Sequence, residues 1–143
     1  MNLYIDTSAL IKLFVQENFS DKIRQLVENA ELVATGLMTR AEAAAGINRL
    51  ARMNFLDQAQ ASIALSNFRK DWEDYHRIPI TEQLVARADI LTSQHTLRGY
   101  DAIHLACALT WQDLLNSPIT LATFDKELHE AAEKSGVQVM PNS

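Results

Sequence analysis

Apolar residues along this chain alternate between two patterns. Short runs rich in β-branched and aliphatic residues occur at 3–5, 32–35, 78–80, 119–123 and 137–140, and each reads as a buried strand. Longer stretches with helical spacing lie between them. Residues 21–29 place Ile23, Leu26 and Val27 on one face, and an Ala-rich helix follows the second strand. Residues 58–75 carry Ala61, Leu65, Phe68 and Trp72, and 82–95 carry Leu84, Ala88 and Leu91. The segment 101–111 is apolar nearly all round, which predicts a central, buried helix. Residues 125–135 carry Leu128, Ala131 and Ala132, after which Gly136 offers a stop. Strands separated by helices predict an α/β sandwich, a parallel sheet with helices on both faces. No repeat or Pro/Gly-rich linker interrupts the pattern, so residues 1–143 are predicted to form a single domain. Such sheets place their ligands beyond the carboxyl ends of the strands.

Composition narrows the class. With 48% hydrophobic and 22% charged residues, the chain is typical of a folded globular protein. Cys107 is the only cysteine, so no disulfide framework is available. Met1 and Asn2 lead directly into an apolar strand, without the basic start of a leader, and no apolar run reaches membrane-spanning length. A cytoplasmic protein with no membrane partner is expected. The net charge of −5 excludes a protein that holds nucleic acid mainly by its own positive field. Any nucleic-acid chemistry must rest on a local site.

Acidic residues supply the candidate site. The strand 3–5 runs into Asp6, and the strand 119–123 is followed by Phe124 and Asp125. Asp101 opens the buried helix, and Glu42 lies near the start of the Ala-rich helix. Each has an ordinary role open to it. Asp before a helix is a common N-cap, and Thr39-Arg40-Ala41-Glu42 fits a capping box with Glu42 reaching back to the Thr39 amide. Caps, however, need not fall at one edge of a sheet. Two carboxylates about 4 Å apart repel by about 4 kcal/mol at an effective dielectric near 20, so a cluster needs protons or a cation. Hard divalent ions prefer such oxygen ligands, and Mg²⁺ or Mn²⁺ held this way suits phosphodiester hydrolysis. The spacing of His and Cys matches no structural zinc site.

Other residues are weaker candidates. His104 lies three residues after Asp101 and shares its helix face, though packing is its more ordinary role. Arg49 falls two turns after Glu42, and Arg40, Lys12 and Arg98 are near the acids in sequence. Phe68, Trp72 and Trp111 follow helical apolar spacing and are expected in the core. Ser8 has no triad partners, and there is no Gly-rich phosphate loop.

At these residues the chain resembles the PIN-domain family, specifically the VapC-type toxins of type II (VapBC) toxin–antitoxin pairs. Tyr4-Ile5-Asp6-Thr7-Ser8-Ala9-Leu10 is similar to that family's opening motif, and Glu42 in its Ala-rich helix to the second acid. Arg98-Gly99-Tyr100-Asp101-Ala102-Ile103-His104-Leu105-Ala106 resembles the third motif, and Thr123-Phe124-Asp125-Lys126-Glu127-Leu128 the last. The resemblance implies a three-layer sandwich with a five-stranded parallel sheet in the order 3-2-1-4-5. It implies that Asp6, Glu42, Asp101 and Asp125 bind Mg²⁺, with Mn²⁺ able to substitute. Thr7 or Ser8 and Thr123 would be helping hydroxyls. It further implies an endoribonuclease acting on RNA such as tRNA or rRNA, a homodimer, and a cognate VapB-like antitoxin. Residues 54–96 match no motif.

Two alternatives belong to other classes. One is a catalytically inactive PIN-like module that only binds RNA or protein, against which the intact acids argue. The other is a phosphatase or receiver-type domain, but no Asp-x-Asp follows the first strand.

Overall fold

The computed structural model describes residues 1–142. The elements in chain order are β1 (Asn2–Ile5), α1 (Thr7–Ile11), α2 (Ser20–Asn29), β2 (Leu32–Gly36), α3 (Thr39–Arg52), α4 (Gln58–Asp71), a 3₁₀ turn (Trp72–Asp74), β3 (His76–Ile78), α5 (Glu82–Gln94), α6 (Gly99–Leu115), β4 (Thr120–Ala122), α7 (Lys126–Lys134) and β5 (Gln138–Met140). All five strands are parallel, in the order β3-β2-β1-β4-β5. The predicted α/β class and strand order therefore hold. The chain winds outward from β1 in one direction through β2 and β3, then returns to β4 on the other side. The gap between β1 and β4 is thus the topological switch point.

Strand alternation divides the core. Leu3, Ile5 and Ala122 pack on one face with Ile23, Phe68 and Trp72. Tyr4, Ala34, Leu121 and Val139 pack on the other with Leu105, Trp111 and Leu128. The helix α6 is buried along most of its length, as its all-round apolar pattern predicts. A smaller cluster of Val15, Ile47, Ala61 and Ala64 joins α3 to α4. No helix among the described residues is long and apolar enough to cross a membrane.

Boundaries differ from the sequence reading where local chemistry intervenes. The third strand occupies His76–Ile78 rather than 78–80, since Pro79 has no N–H to donate to a ladder. The helix expected over 58–75 ends at Asp71 and tightens into the 3₁₀ turn. Helix α1 has only five residues, too few for a helical period to show in the sequence. It starts because Asp6 is extended and its side chain accepts from the Ala9 amide. Gly46 on α3 allows α1 to approach closely: a Cβ there would meet Ile11 Cδ1 at 2.5 Å. That approach brings Thr7 against Glu42.

Candidate active site

Asp6 follows β1 and continues its alternation, so it turns toward the Tyr4 face, where α6 lies. It is 3% exposed. Its Oδ1 accepts from the Ala9 amide (2.9 Å) and the Ser8 hydroxyl (2.7 Å), and its Oδ2 accepts from the Thr123 hydroxyl. Those hydroxyls accept in turn from the amides of the next loop: Phe124 N–H donates to Ser8 Oγ and Asp125 N–H to Thr123 Oγ1, each at 3.0 Å. Two relays therefore tie the loop after β4 to the carboxylate after β1. Burial nevertheless pushes the Asp6 pKa up, outweighing the lowering from His104 and from these hydrogen bonds.

A cleft of about 730 Å³ opens at this sheet edge. Asp6, Glu42, Asp101 and Asp125 all line it, together with Thr7, Ser8 and His104. Thr123 lies beneath, bonded to Asp6. Asp125 also caps α7, accepting from the Leu128 amide at 2.8 Å. Capping and facing the cleft are thus compatible in Asp6 and Asp125. Arg98 bridges the other two aspartates, with Nε 3.2 Å from Asp101 and an Nη 3.2 Å from Asp125. The Asp101 pKa is raised by burial first and then by Asp125, and lowered less by Arg98.

The capping box open to Glu42 does not form. Residue Met38, without a side-chain bond, precedes α3, and Thr39 Oγ1 lies 2.9 Å from Thr35 Oγ1 instead. Glu42 Oε1 accepts from Thr7 Oγ1 (2.7 Å) and pairs with His104 Nε2 (3.0 Å). On its other side, His104 Nδ1 is 2.8 Å from the Tyr4 hydroxyl. Tyr4 is fully buried and its pKa is pushed far up by burial, so the phenol keeps its proton. In a neutral ring that accepts the phenol proton at Nδ1, Nε2 carries the ring proton and donates to Glu42. Burial raises the Glu42 pKa, but His104 and Thr7 together lower it below the ordinary value. One carboxylate oxygen is thus engaged twice, and Oε2 has none of these bonds.

Sequence reasoning treated His104 mainly as packing. It is buried, but it is also the polar link between Tyr4 and Glu42. Alternation in β1 was the signal that Tyr4 faces α6. Arg49, a weak candidate from its spacing, lines the cleft, and so does Arg52, which was missed; ten residues after Glu42 is close to three turns. Arg40 is exposed and does not line it. Lys12 instead pairs with Glu17 at 3.0 Å. Burial pushes the Cys107 thiol up to about 12, which leaves it a poor nucleophile.

Among the described residues, no three His, Cys, Asp or Glu side chains converge closely enough to make a finished metal shell. The donor set still fits a hard cation. It is all oxygen, it lines one cleft, and Asp125 and Asp101 repel each other there.

Two outcomes follow from this geometry. Tyr4→Phe leaves His104 Nδ1 buried without its donor and should cost about 1–3 kcal/mol in urea denaturation; an unchanged midpoint would show that the bond contributes nothing. Asp101 binds its proton more tightly folded than unfolded. Its contribution is fully present below the unfolded value of about 4 and is lost as pH rises through the raised folded value. In EDTA, Asp101→Asn should therefore melt above the parent at pH 7, with the gap closing near pH 4. A parent that melts higher at pH 7 would refute the repulsion.

The PIN domain family matches residues 3–134. Ribonuclease VapC45 of Mycobacterium tuberculosis is 29% identical, over 97% of this chain and 94% of its own length. The crystal structure of PAE2754 from Pyrobaculum aerophilum superposes with a TM-score of 0.71 at 18% identity, covering 97% of this chain and 89% of that one. A toxin–antitoxin complex from Klebsiella pneumoniae superposes with a TM-score of 0.62 at 22% identity, covering 87% and 88%. With a match that runs from β1 through α7, the chain belongs to the PIN domain family.

Proposed function

We propose that this protein is a metal-dependent endoribonuclease and the toxin of a toxin–antitoxin pair. The observation that carries the reading is that Asp6, Glu42, Asp101 and Asp125 line one cleft that also holds Arg49, Arg52 and Arg98. The similarity to a protein named a ribonuclease, and to a chain of a toxin–antitoxin complex, supports it.

On this reading Asp6, Asp101 and Asp125 hold Mg²⁺ or Mn²⁺, and Glu42 holds the ion or positions the attacking water. The ion supplies Lewis acidity, making water acidic enough to attack at neutral pH and offsetting charge on the leaving oxygen. The protein's own part is orientation. Ser8 and Thr123 fix the Asp6 carboxylate, and Thr7 and His104 turn Glu42 so that its unengaged oxygen can accept a proton. Arg49 and Arg52 offer charge to the phosphate backbone that the net charge of −5 does not, while Arg98 is paired with Asp101 and Asp125. Water forms the new P–O bond, the bond to the 3′ oxygen breaks, and the products carry 5′-phosphate and 3′-hydroxyl ends. The substrate is RNA, with tRNA or rRNA as candidates; the partners are a VapB-like antitoxin and a second copy of this chain.

Purified protein should cleave RNA with Mg²⁺ or Mn²⁺ and stop in EDTA. Asp101→Asn should lower kcat by roughly 100-fold or more, the loss of several kcal/mol of charge stabilisation. Mn²⁺ should raise the parent's melting temperature by mass action. Cleavage that survives EDTA and Asp101→Asn would refute the mechanism; neither cleavage nor a metal-induced shift would favour a binding module. Expression without its partner should arrest growth, and Asp101→Asn should relieve the arrest. Harmless expression of soluble, active enzyme would remove the toxin role and leave the nuclease.

A further inference from the structure

Beside Asp125 lies a second hollow, of about 590 Å³, whose wall includes Phe19, Phe124, Lys126 and Pro141. Asp125 borders both this hollow and the acidic cleft, so the two meet at its carboxylate. The three cleft arginines do not line it. Its chemistry is different: an aromatic surface beside Asp125, with Lys126, His129, Glu130 and Glu133 also in the wall, where His129 Nδ1 lies 2.9 Å from Glu133.

Phe19 dominates that surface. It is 57% exposed, and its ring lies 5.5 Å from that of Phe124 at an interplanar angle of 37°. Phe124 is held in place. Its amide donates to Ser8 within the Asp6 relay, and Lys12 Nζ sits 4.6 Å from its ring centroid. Phe19 is held too. Its backbone is left-handed (φ 71°, ψ 3°), a region that bulky residues enter only at a cost. The next residue, Ser20, is fully buried; its hydroxyl accepts from the Glu17 amide (2.9 Å) and donates to the Val15 carbonyl (3.1 Å). The turn thus spends backbone strain and a buried hydroxyl on keeping a large apolar ring in water, against an aromatic neighbour and next to the candidate catalytic carboxylates.

We propose that Phe19, backed by Phe124, is the stacking platform for one unpaired nucleobase adjoining the phosphodiester in the acidic cleft. The proposal rests on the ribonuclease reading and deepens it. Every base has a π-face, so an exposed ring takes any of them. The base must be unstacked to reach the ring, so the RNA is single-stranded at that position. The paired rings of Phe19 and Phe124 offer a base its π-face in the hollow, while Arg49 and Arg52 draw the backbone to the cleft. The phosphodiester crosses the acids, and the adjoining base turns aside past Asp125 onto Phe19.

The test uses a short single-stranded RNA spanning the bond that the protein itself cleaves. 2-Aminopurine replaces one base at a time, and its fluorescence is read in the non-cleaving Asp101→Asn background. One position next to the cleaved bond should be quenched. The quenching should vanish with Phe19→Ala and Phe19→Leu and persist with Phe19→Trp. In the otherwise unchanged enzyme, Phe19→Ala should raise KM about tenfold with little change in kcat, as loss of one base stack predicts. Because Phe19 is exposed, the melting temperature should not fall. Equal KM for Phe19→Ala, full rescue by leucine, or an effect confined to binding a protein partner would overturn the platform. Absence of any metal-dependent cleavage by the folded parent would overturn the ribonuclease reading instead.

Discussion

The acid-lined edge of this protein depends on one buried carboxylate. Asp6 follows β1, starts α1 by capping it, and accepts from two hydroxyls that are themselves anchored by the amides of Phe124 and Asp125. A charge this deeply buried is tolerable only when its lone pairs are occupied. Ser8, Ala9 and Thr123 meet that demand, and in doing so they join the two strands flanking the switch point. The position of Asp125, and the aromatic shelf of Phe124 and Phe19 beside it, follow from that bonding.

The opposite wall is set by a second buried polar path. Tyr4 reaches across the sheet face to His104, and His104 reaches Glu42, which Thr7 also holds. The path joins β1, α6, α3 and α1 through side-chain hydrogen bonds. A buried network of this kind rigidifies what it connects, and it leaves one Glu42 oxygen turned to the cleft without these bonds. The remaining acids, Asp101 and Asp125, are less well supplied. Arg98 spans them from an exposed position, and burial with mutual repulsion still holds the Asp101 proton tighter than usual. The molecule therefore carries an electrostatic cost at its cleft, the kind of cost that recurs where sites bind cations or react.

Legibility varied by element. Helix α6 was plain, because an apolar surface all round a helix leaves it no place but the centre. Four of the strands were plain as short aliphatic runs, and the parallel arrangement followed from the helices between them. Helix α1 was not, because five residues cannot display a period. Pro79 moved β3 by two residues through a missing donor, which a run of apolar residues does not reveal. Glu42 is the instructive case. Its sequence context fits a capping box, yet Thr39 turns to Thr35 and Glu42 turns to Thr7 and His104. Local spacing offered a partner three residues away; the fold offered two better donors from other elements.

What the sequence determined by itself is the alternation of strands and helices, the resulting α/β class, and the four acids at strand ends and helix starts. These are local quantities: period, capping chemistry and turn residues act over a few positions. What only the tertiary structure decided is which groups meet. Tyr4 and His104 are separated by 100 residues, Ser8 and Phe124 by 116, and Arg98 and Asp125 by 27. No spacing rule pairs such residues. They meet because β1 lies between β2 and β4 and α6 crosses its face, so that side chains distant in sequence must satisfy one another's hydrogen bonds once water is removed.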